Sequence, residues 1–313
     1  MARLLVGVVL LGILLWWIDW QQLIMQLGKV QPLLLLPFLI LFPLSLGIAS
    51  HRWSLLLTPL GVDVPRLETF KLYWIGLFLS NFLPSNIGGD LSRISLLYRF
   101  KKTAEITGSV LVERFIGLVA LLTLTSITVW LRPALLPGNS SLYWGALALS
   151  VVASVSLLLG AKRLPSLVNL RNAPASGLAG QLFRLLQAVT GYQQQRTLLQ
   201  VLSLSFLYYL TGFLAHYSIA LALGLDLLLR DVLLITPLIL LVSMIPLSIN
   251  ALGLAEGAFI AFYTKVGLIP SEALAFALLL RGMQMGCSAI GGLLLISYRP
   301  NRGTDNRSGG SAP

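Results

Sequence analysis

The stretch Asn81 to Arg99 reads NFLPSNIGGDLSRISLLYR and places a proline, two adjacent glycines, an acid and a base between apolar flanks. Pro84 and the pair Gly88 and Gly89 interrupt a helix, because proline lacks an N–H and glycine weakens helical order. Lipid cannot satisfy the backbone groups that such a break exposes, so they must face protein or water. We therefore expect a broken membrane helix that borders a cavity.

A second break of the same kind lies near the other end of the chain. Ser243 to Gly257 reads SMIPLSINALGLAEG, and Pro246 and Gly253 interrupt a second hydrophobic run there. Glu256 occupies the place in this break that Asp90 occupies in the first one. The two breaks together organise the interpretation of the whole chain.

Composition predicts an all-α polytopic membrane protein. Of the 313 residues, 57% are hydrophobic and only 11% are charged, and the mean hydropathy is +0.86. Soluble domains carry about 25% charged residues. Several apolar runs are long enough for spanning helices, and the alternating ten-residue strands of a barrel are absent. The one cysteine, Cys287, excludes a disulfide framework or a cysteine-based metal site, and no cofactor is predicted.

The hydrophobic segments predict six spanning helices and two broken or re-entrant hairpins, about eight segments in all. The spanning helices are predicted at about 4–18, 33–53, 109–131, 142–160, 198–223 and 272–297, and the breaks at about 70–99 and 232–266. Residues 1–298 then form one membrane domain with halves at about 32–131 and 198–297 and extra helices at 4–18 and 142–160. The basic segment 162–196 is typical of a surface amphipathic helix, and the polar tail 299–313 is predicted to be disordered.

The distribution of basic residues predicts the orientation. With the N-terminus inside, fifteen of the 22 lysines and arginines fall on the cytoplasmic side and four on the outer side, as the positive-inside rule requires. Arg93, Arg114 and Arg281 remain within the membrane. This bias explains the net charge of +11 without a nucleic-acid partner. Both termini are predicted to be cytoplasmic.

Orientation also predicts that the two halves are inverted. Basic residues flank the first break on the inner side, whereas the second break begins and ends on the outer side. Oppositely oriented broken hairpins that meet near the midplane are typical of secondary transporters. In an alternative topology each hairpin crosses the membrane fully, which leaves the loops on the same sides.

The predicted boundary near Trp53 decides how several residues are interpreted. Because the second helix is expected to end there, Arg52 counts among the cytoplasmic bases. Trp53 and Trp74 then lie near helix ends, where aromatic belts form at the membrane interfaces.

Ionisable residues at membrane depth are expensive and usually functional. Asp90 and Arg93 are spaced i, i+3 and share a helix face, and glycines before Asp90 would let a head group approach free N–H groups. Arg114 follows Asp90 by 24 residues and Arg281 follows Glu256 by 25, so each half offers an acid and an arginine. The predicted substrate-binding residues are Asp90, Arg93, Arg114, Glu256, Arg281, Gly88, Gly89, Asn86 and Asn250.

Structural interpretations compete with this one. The acids and arginines could form buried ion pairs that only fix helix packing. Glu113 could pair with its neighbours near the interface, and His216 is expected to be a hydrogen-bonded packing residue. Ser243 and Ser248 could act as nucleophiles, but no base and orienting group are recognisable beside them. The sequence therefore predicts no enzyme.

The residues that carry these patterns resemble a known family. NFLPSNIGGDLSR, LVER at 111–114 and IPLSINALGLAEGAF resemble the transmembrane region of lysylphosphatidylglycerol synthases and their stand-alone flippase-like relatives. The resemblance implies an inner-membrane protein that moves an aminoacylated phospholipid or a polyprenyl-linked sugar between leaflets. The chain ends about fifteen residues after the last predicted helix, so we expect it to lack the soluble aminoacyl-transferase domain. It also has Asn250, Ala251 and Leu252 where relatives are richer in glycine.

Two functions follow as hypotheses. In the first, Arg114 and Arg281 neutralise the phosphate of a membrane lipid while Asp90 and Glu256 accept hydrogen bonds from its amines or hydroxyls, and the lipid moves between leaflets. No phosphate-binding loop is present to couple this movement to a nucleotide. In the second, the protein binds lipid without moving it and presents it to a separate glycosyltransferase or aminoacyltransferase.

Overall fold

The computed structural model describes residues 18–82, 88–100, 102–132, 195–245 and 247–298, with isolated positions before 18 and between 132 and 195. These residues form nine α-helices joined by short 3₁₀ turns, and they contain no β-strand. The described positions between 6 and 16 are helical, as expected for the first predicted helix. The predicted surface helix, the tail at 299–313 and most of the helix at 142–160 lie outside the described residues.

The helices are α1 (Trp20–Gly28), α2 (Leu36–Leu57), α3 (Arg66–Ser80), α4 (Gly88–Leu96), α5 (Thr103–Leu131), α6 (Gln195–Ala222), α7 (Leu229–Ser243), α8 (Leu254–Tyr263) and α9 (Pro270–Ser297).

Four helical segments of the described chain are long and apolar enough to cross a membrane. They are Pro32–Leu60, Thr103–Leu131, Arg196–Ala222 and Pro270–Ser297. Each has 27 to 29 residues, which at 1.5 Å per residue is about 40 Å and exceeds the hydrocarbon thickness of about 30 Å. These segments confirm the all-α membrane class and coincide with four of the predicted spanning helices.

Each predicted break is a pair of helices too short to span. In the first, α3 has 15 residues and α4 has 9; in the second, α7 has 15 and α8 has 10. A 15-residue helix is only about 22 Å long. Asn250 and Ala251, between α7 and α8, have φ of 49° and 52°, in the left-handed region. Proline and glycine thus predicted the positions of both interruptions.

The 15-residue helix of each hairpin packs against a long helix of the other half. The arm α3 packs along α9, and the arm α7 packs against α5, while α2 and α6 run against each other. Close approach of α3 and α9 depends on Gly291, since a Cβ at this position would lie 2.0 Å from the Trp74 carbonyl oxygen. The ends of the two hairpins contact each other, since Asn250 Nδ2 donates to Asn81 Oδ1 at 3.3 Å.

The expected end of the second helix at Trp53 was wrong. The helix α2 continues to Leu57, so Arg52 and Trp53 lie inside it and both are buried. Trp74 is buried as well, against Phe42 and Phe70. These residues are therefore buried in the protein core, whereas the sequence predicted Arg52 among the exposed cytoplasmic bases and the tryptophans in the aromatic belts.

Candidate functional site

One cavity of about 500 Å³ lies where the two hairpins meet, within the size range of ligand-binding pockets. Residues of both halves line it. The charged side chains in its wall are Arg52, Asp90, Arg93, Glu113, Arg114, Glu256 and Arg281. The acid and the arginine predicted for each half thus face one shared space.

The other predicted site residues have different positions. Asn250 lines the cavity. Gly88 and Gly89 are buried and do not line it; a Cβ on Gly89 would lie 2.6 Å from the Gly76 carbonyl oxygen, so this glycine lets α4 approach α3. Asn86 lies outside the described residues. Gly89 therefore has a packing role in the first hairpin.

In the second half, Glu256 is the third residue of α8 and is 1% exposed. Its Oε2 accepts a hydrogen bond of 2.7 Å from the Gly253 backbone N–H, which caps the helix, and its Oε1 accepts from Arg281 Nε. Arg281 Nη1 also donates to the Asn250 carbonyl oxygen at 3.2 Å. The Glu256 carboxylate and the Asn250 carbonyl oxygen thus fix the position of the Arg281 side chain at the end of the hairpin.

In the first half, Asp90 is the third residue of α4. Its Oδ1 accepts from Arg93 Nη2 and its Oδ2 from Arg114 Nε, so both oxygens are engaged. Arg114 lies eleven residues after the first residue of α5, and Arg281 lies eleven residues after the first residue of α9. The acid and the arginine therefore occupy equivalent places in the helices of the two halves.

A deeper network, absent from the predicted site, extends from this cluster. Glu113 Oε1 accepts from Arg52 at 2.8 Å and from the Tyr73 hydroxyl, and Glu113 Oε2 accepts from Arg93 at 3.4 Å. Arg52 Nη1 also donates to the Ser205 hydroxyl at 3.0 Å. Glu113 is thus a buried partner of two arginines, as the expected pairing with neighbours suggested, but it also joins them to the cavity wall.

Aromatic rings cover the buried arginines. The Arg93 guanidinium carbon lies 4.7 Å from the Trp53 ring centroid and 4.1 Å from that of Tyr73, and Arg52 lies 5.3 Å from the Tyr208 ring. Cation–π contacts of this kind help compensate the desolvation of a guanidinium group.

The arginines of the cavity differ in accessibility. The side chains of Arg52 and Arg93 are less than a tenth exposed, whereas those of Arg114 and Arg281 are 43% and 20% exposed. Arg281 Nη2 forms no hydrogen bond with the described residues. Arg114 and Arg281 are consequently the arginines that a ligand in the cavity can reach.

The ends of the two hairpins are joined by amide groups. Asn250 Nδ2 donates to Asn81 Oδ1 at 3.3 Å, and Asn81 Nδ2 donates to the Ser288 hydroxyl of α9 at 2.8 Å. These bonds link the end of α3 to the turn before α8. They close one side of the cavity with uncharged groups.

Two further expectations concern His216 and metals. His216 lies in the cavity wall, but its Nδ1 forms no hydrogen bond with the described residues, so the expected hydrogen-bonded packing role is not observed. Within the described parts of the chain, no three His, Cys, Asp or Glu residues lie close enough together to hold a metal ion.

Comparisons with known proteins agree with the resemblance seen in the sequence. The family described as the lysylphosphatidylglycerol synthase TM region matches residues 4–291. A UPF0104 membrane protein of Methanothermobacter thermautotrophicus is 23% identical over 94% of this chain and 94% of its own length. A UPF0104 membrane protein of Pyrococcus horikoshii is 22% identical over 37% of this chain and 36% of its own. No solved structure matches. The chain belongs to the lysylphosphatidylglycerol synthase transmembrane family.

Proposed function

We propose that this member of the family moves the polar head group of a membrane lipid between leaflets through the cavity between its hairpins. The observation that carries the proposal is that the acid–arginine pairs of both halves line one cavity. A protein that used such pairs only for packing would not need to bring them to a common, partly exposed space. Arg114 and Arg281 would bind the phosphate of a phospholipid or a polyprenyl-linked lipid while the chains stay in the bilayer.

The chemistry of the cavity suits a phosphate. Arginine presents a planar fork of donors that matches phosphate oxygens, and hydrogen bonds to ionised groups strengthen where water is scarce. Within a bilayer an unpaired charge is expensive, so a cavity with arginines lowers the barrier for a charged head group to cross.

We further propose that the halves α2–α5 and α6–α9 are an inverted repeat whose hairpins enter from opposite leaflets. The order of long helix, 15-residue helix, short helix and long helix in both halves supports this arrangement. The reciprocal packing of α3 on α9 and α7 on α5 also supports it. Two opposed hairpins around one site provide a means of alternate exposure to the two leaflets. We also propose that the membrane is the inner membrane, and the distribution of basic residues supports cytoplasmic termini.

The proposal is transport, not catalysis. The Ser243 hydroxyl lines the cavity but donates to the Ile239 carbonyl of its own helix, and no histidine or carboxylate accepts its proton. Ser248 does not line the cavity. Lipids are the expected partners, and a lipid-modifying enzyme would act before or after transport.

Movement of a fluorescent phospholipid in liposomes tests the proposal. Arg114→Gln removes a cavity guanidinium, and we expect it to slow the movement about tenfold or more. Arg132→Gln is the matched control. Arg132 directly follows the helix that carries Arg114, pairs with an aspartate at 3.2 Å and is 37% exposed, yet it lies outside the cavity. The control should keep the parent rate.

Equal rates for both variants would contradict the proposal. Lipid that stays bound through purification, without any movement in liposomes, would instead support the lipid-binding scaffold that presents substrate to a separate enzyme.

A further inference from the structure

Every described carboxylate in the cavity wall already accepts hydrogen bonds from other groups of the protein. The six carboxylate oxygens of Asp90, Glu113 and Glu256 each accept at least one hydrogen bond from an arginine, a tyrosine or a backbone N–H. Five of the six accept from an arginine. A cationic head group would have to displace these partners to find a counter-charge.

The charges in the cavity wall do not cancel. Four arginines and three carboxylates line it among the described residues, which gives a net charge of +1 with His216 neutral. The linker 83–87 and position 246 contain no ionisable residue, so these undescribed parts of the two hairpins cannot change the sum. A cleft of one net charge with apolar walls focuses its field and attracts an ion of the opposite charge. The cavity therefore favours an occupant with one negative charge.

The rest of the polar wall is uncharged. It contains His216, three tyrosines (Tyr73, Tyr208 and Tyr209) and a set of small amide and hydroxyl side chains: Ser80, Asn81, Ser243, Asn250 and Gln284. Amides and hydroxyls both donate and accept hydrogen bonds, as the hydroxyls of a polyol or a sugar do. These groups are suited to bind hydroxyls, and they offer no counter-charge to an ammonium group.

Gln284 is the residue most available for this contact. It lies three residues after Arg281 on α9, so the two side chains share one helix face toward the cavity. Its amide forms no hydrogen bond with the described residues, unlike the amide of Asn81, which contacts Asn250 and Ser288. Gln284 can therefore bind a hydroxyl close to a phosphate held by Arg281.

We propose that the cavity selects a lipid head group with one net negative charge and free hydroxyls, excludes aminoacylated cationic head groups, and uses Gln284 to bind the hydroxyls. This inference rests on the proposed function, because it concerns the same cavity, and it narrows the substrate class. It assigns specificity to Gln284, which was not among the predicted substrate-binding residues.

Competition binding in detergent with two matched lipids tests it. Dioleoylphosphatidylglycerol carries one negative charge and two hydroxyls, whereas its lysyl ester has the same phosphate and chains but a net charge of +1. We expect the parent protein to bind the first lipid about tenfold or more tightly than the second, since like charges at close range repel. Tighter or equal binding of the lysyl ester would overturn the proposal, whatever the variants do.

Two substitutions at Gln284 separate charge from hydroxyl binding. Gln284→Glu makes the wall neutral, and we expect it to reduce the preference between the two lipids to about threefold or less. Gln284→Leu keeps the charge and should weaken phosphatidylglycerol binding about fivefold, with no change for phosphatidylcholine, which has no hydroxyl in its head group. Gln21→Glu adds an acid on exposed α1, outside the cavity, and should change neither. An unchanged preference in folded Gln284→Glu would overturn the proposal.

The liposome assay keeps this inference separate from transport. Selective binding without lipid movement would support the selectivity and reject translocation. Lipid movement without selectivity would reject the inference and leave translocation standing.

Discussion

At the scale of the residue, burial separates structural arginines from those that face a ligand. Arg52 and Arg93 share Glu113 and are covered by aromatic rings, so their charges are compensated inside the protein. Arg114 and Arg281 pair with the acids of the hairpins and remain partly exposed. Burial and pairing thus assign a packing role to Arg52 and Arg93, while ligand binding by Arg114 and Arg281 stays a prediction.

Loss of the Glu113 carboxylate, which Arg52 and Arg93 share, should lower the stability of the protein. Glu113→Gln keeps the side-chain volume but leaves Arg52 and Arg93 short of a counter-charge, and we expect the free energy of unfolding to fall by about 3 kcal/mol or more. Asp231→Asn is the control, because the arginine partner of Asp231, Arg132, is 37% exposed and stays solvated when the pair is lost, so the substitution should cost about 1 kcal/mol or less. Thermal unfolding in detergent measures both. Equal shifts in melting temperature for the two variants would show that the Glu113 network contributes no more to stability than the Asp231 ion pair.

Backbone strain at Ala251 gives a second residue-scale prediction. Its φ of 52° is costly for any residue with a Cβ, by about 1 kcal/mol. We expect Ala251→Gly to leave stability unchanged or to raise it, because relief of strain offsets the greater freedom of the unfolded chain. Ala258→Gly, at an equally buried position within α8, should lower it by about 1 kcal/mol. Unfolding of the two variants under identical conditions decides the matter.

The sequence predicted five of the seven charged residues that line the cavity, and it missed Arg52 and Glu113. Asp90, Arg114, Glu256 and Arg281 were recognisable because charge is rare in apolar runs. The pairing of Arg52 with Glu113 joins residues 61 positions apart on different helices, and no local pattern reveals such a contact. Gln284, which also lines the cavity, was not predicted either, since an uncharged side chain carries no signal of its own.

At the scale of the element, proline and glycine predicted where the hairpins break. Boundaries were less certain, as α2 shows by continuing four residues beyond Trp53. The glycines of α9 differ in how closely neighbouring atoms approach them. A Cβ on Gly291 would meet the Trp74 backbone, whereas Gly286 has nothing within 4 Å.

This contrast predicts opposite effects of one substitution on one helix. Gly291→Ala would force α9 away from α3, and we expect a loss of about 2 kcal/mol or more, because a backbone oxygen cannot move aside as a side chain can. Gly286→Ala places its methyl group in open space and should leave stability equal or slightly higher, since alanine is the better helix former. Melting temperatures of the two purified variants provide the test. Similar melting temperatures would contradict the close approach of α3 and α9.

At the scale of the whole molecule, the two halves meet through few polar bonds at the ends of the hairpins. Asn250 contacts Asn81, and Asn81 contacts Ser288, whereas the larger contacts between the halves are the long packed faces of α2, α6, α3 and α9. The packing of each hairpin against the other half depends on contacts far apart in the sequence. Charge predicts an inverted orientation of the two halves, which stays a prediction, but it gives no information on which helix each hairpin packs against.

The hairpin ends should have to separate when a lipid crosses. Cysteines at Asn81 and Asn250, in a chain carrying Cys287→Ser to remove the native thiol, can be joined by a short thiol-reactive crosslinker, because the two amides are 3.3 Å apart. We expect crosslinking to stop lipid movement in liposomes, while lipid still binds the cavity. Cleavage of a reducible linker should restore the rate, and each single-cysteine variant should be unaffected by the reagent. If the crosslinked protein moved lipid at the parent rate, the hairpin ends would not be a moving part of the transport cycle, and the path would have to lie along the long helices instead.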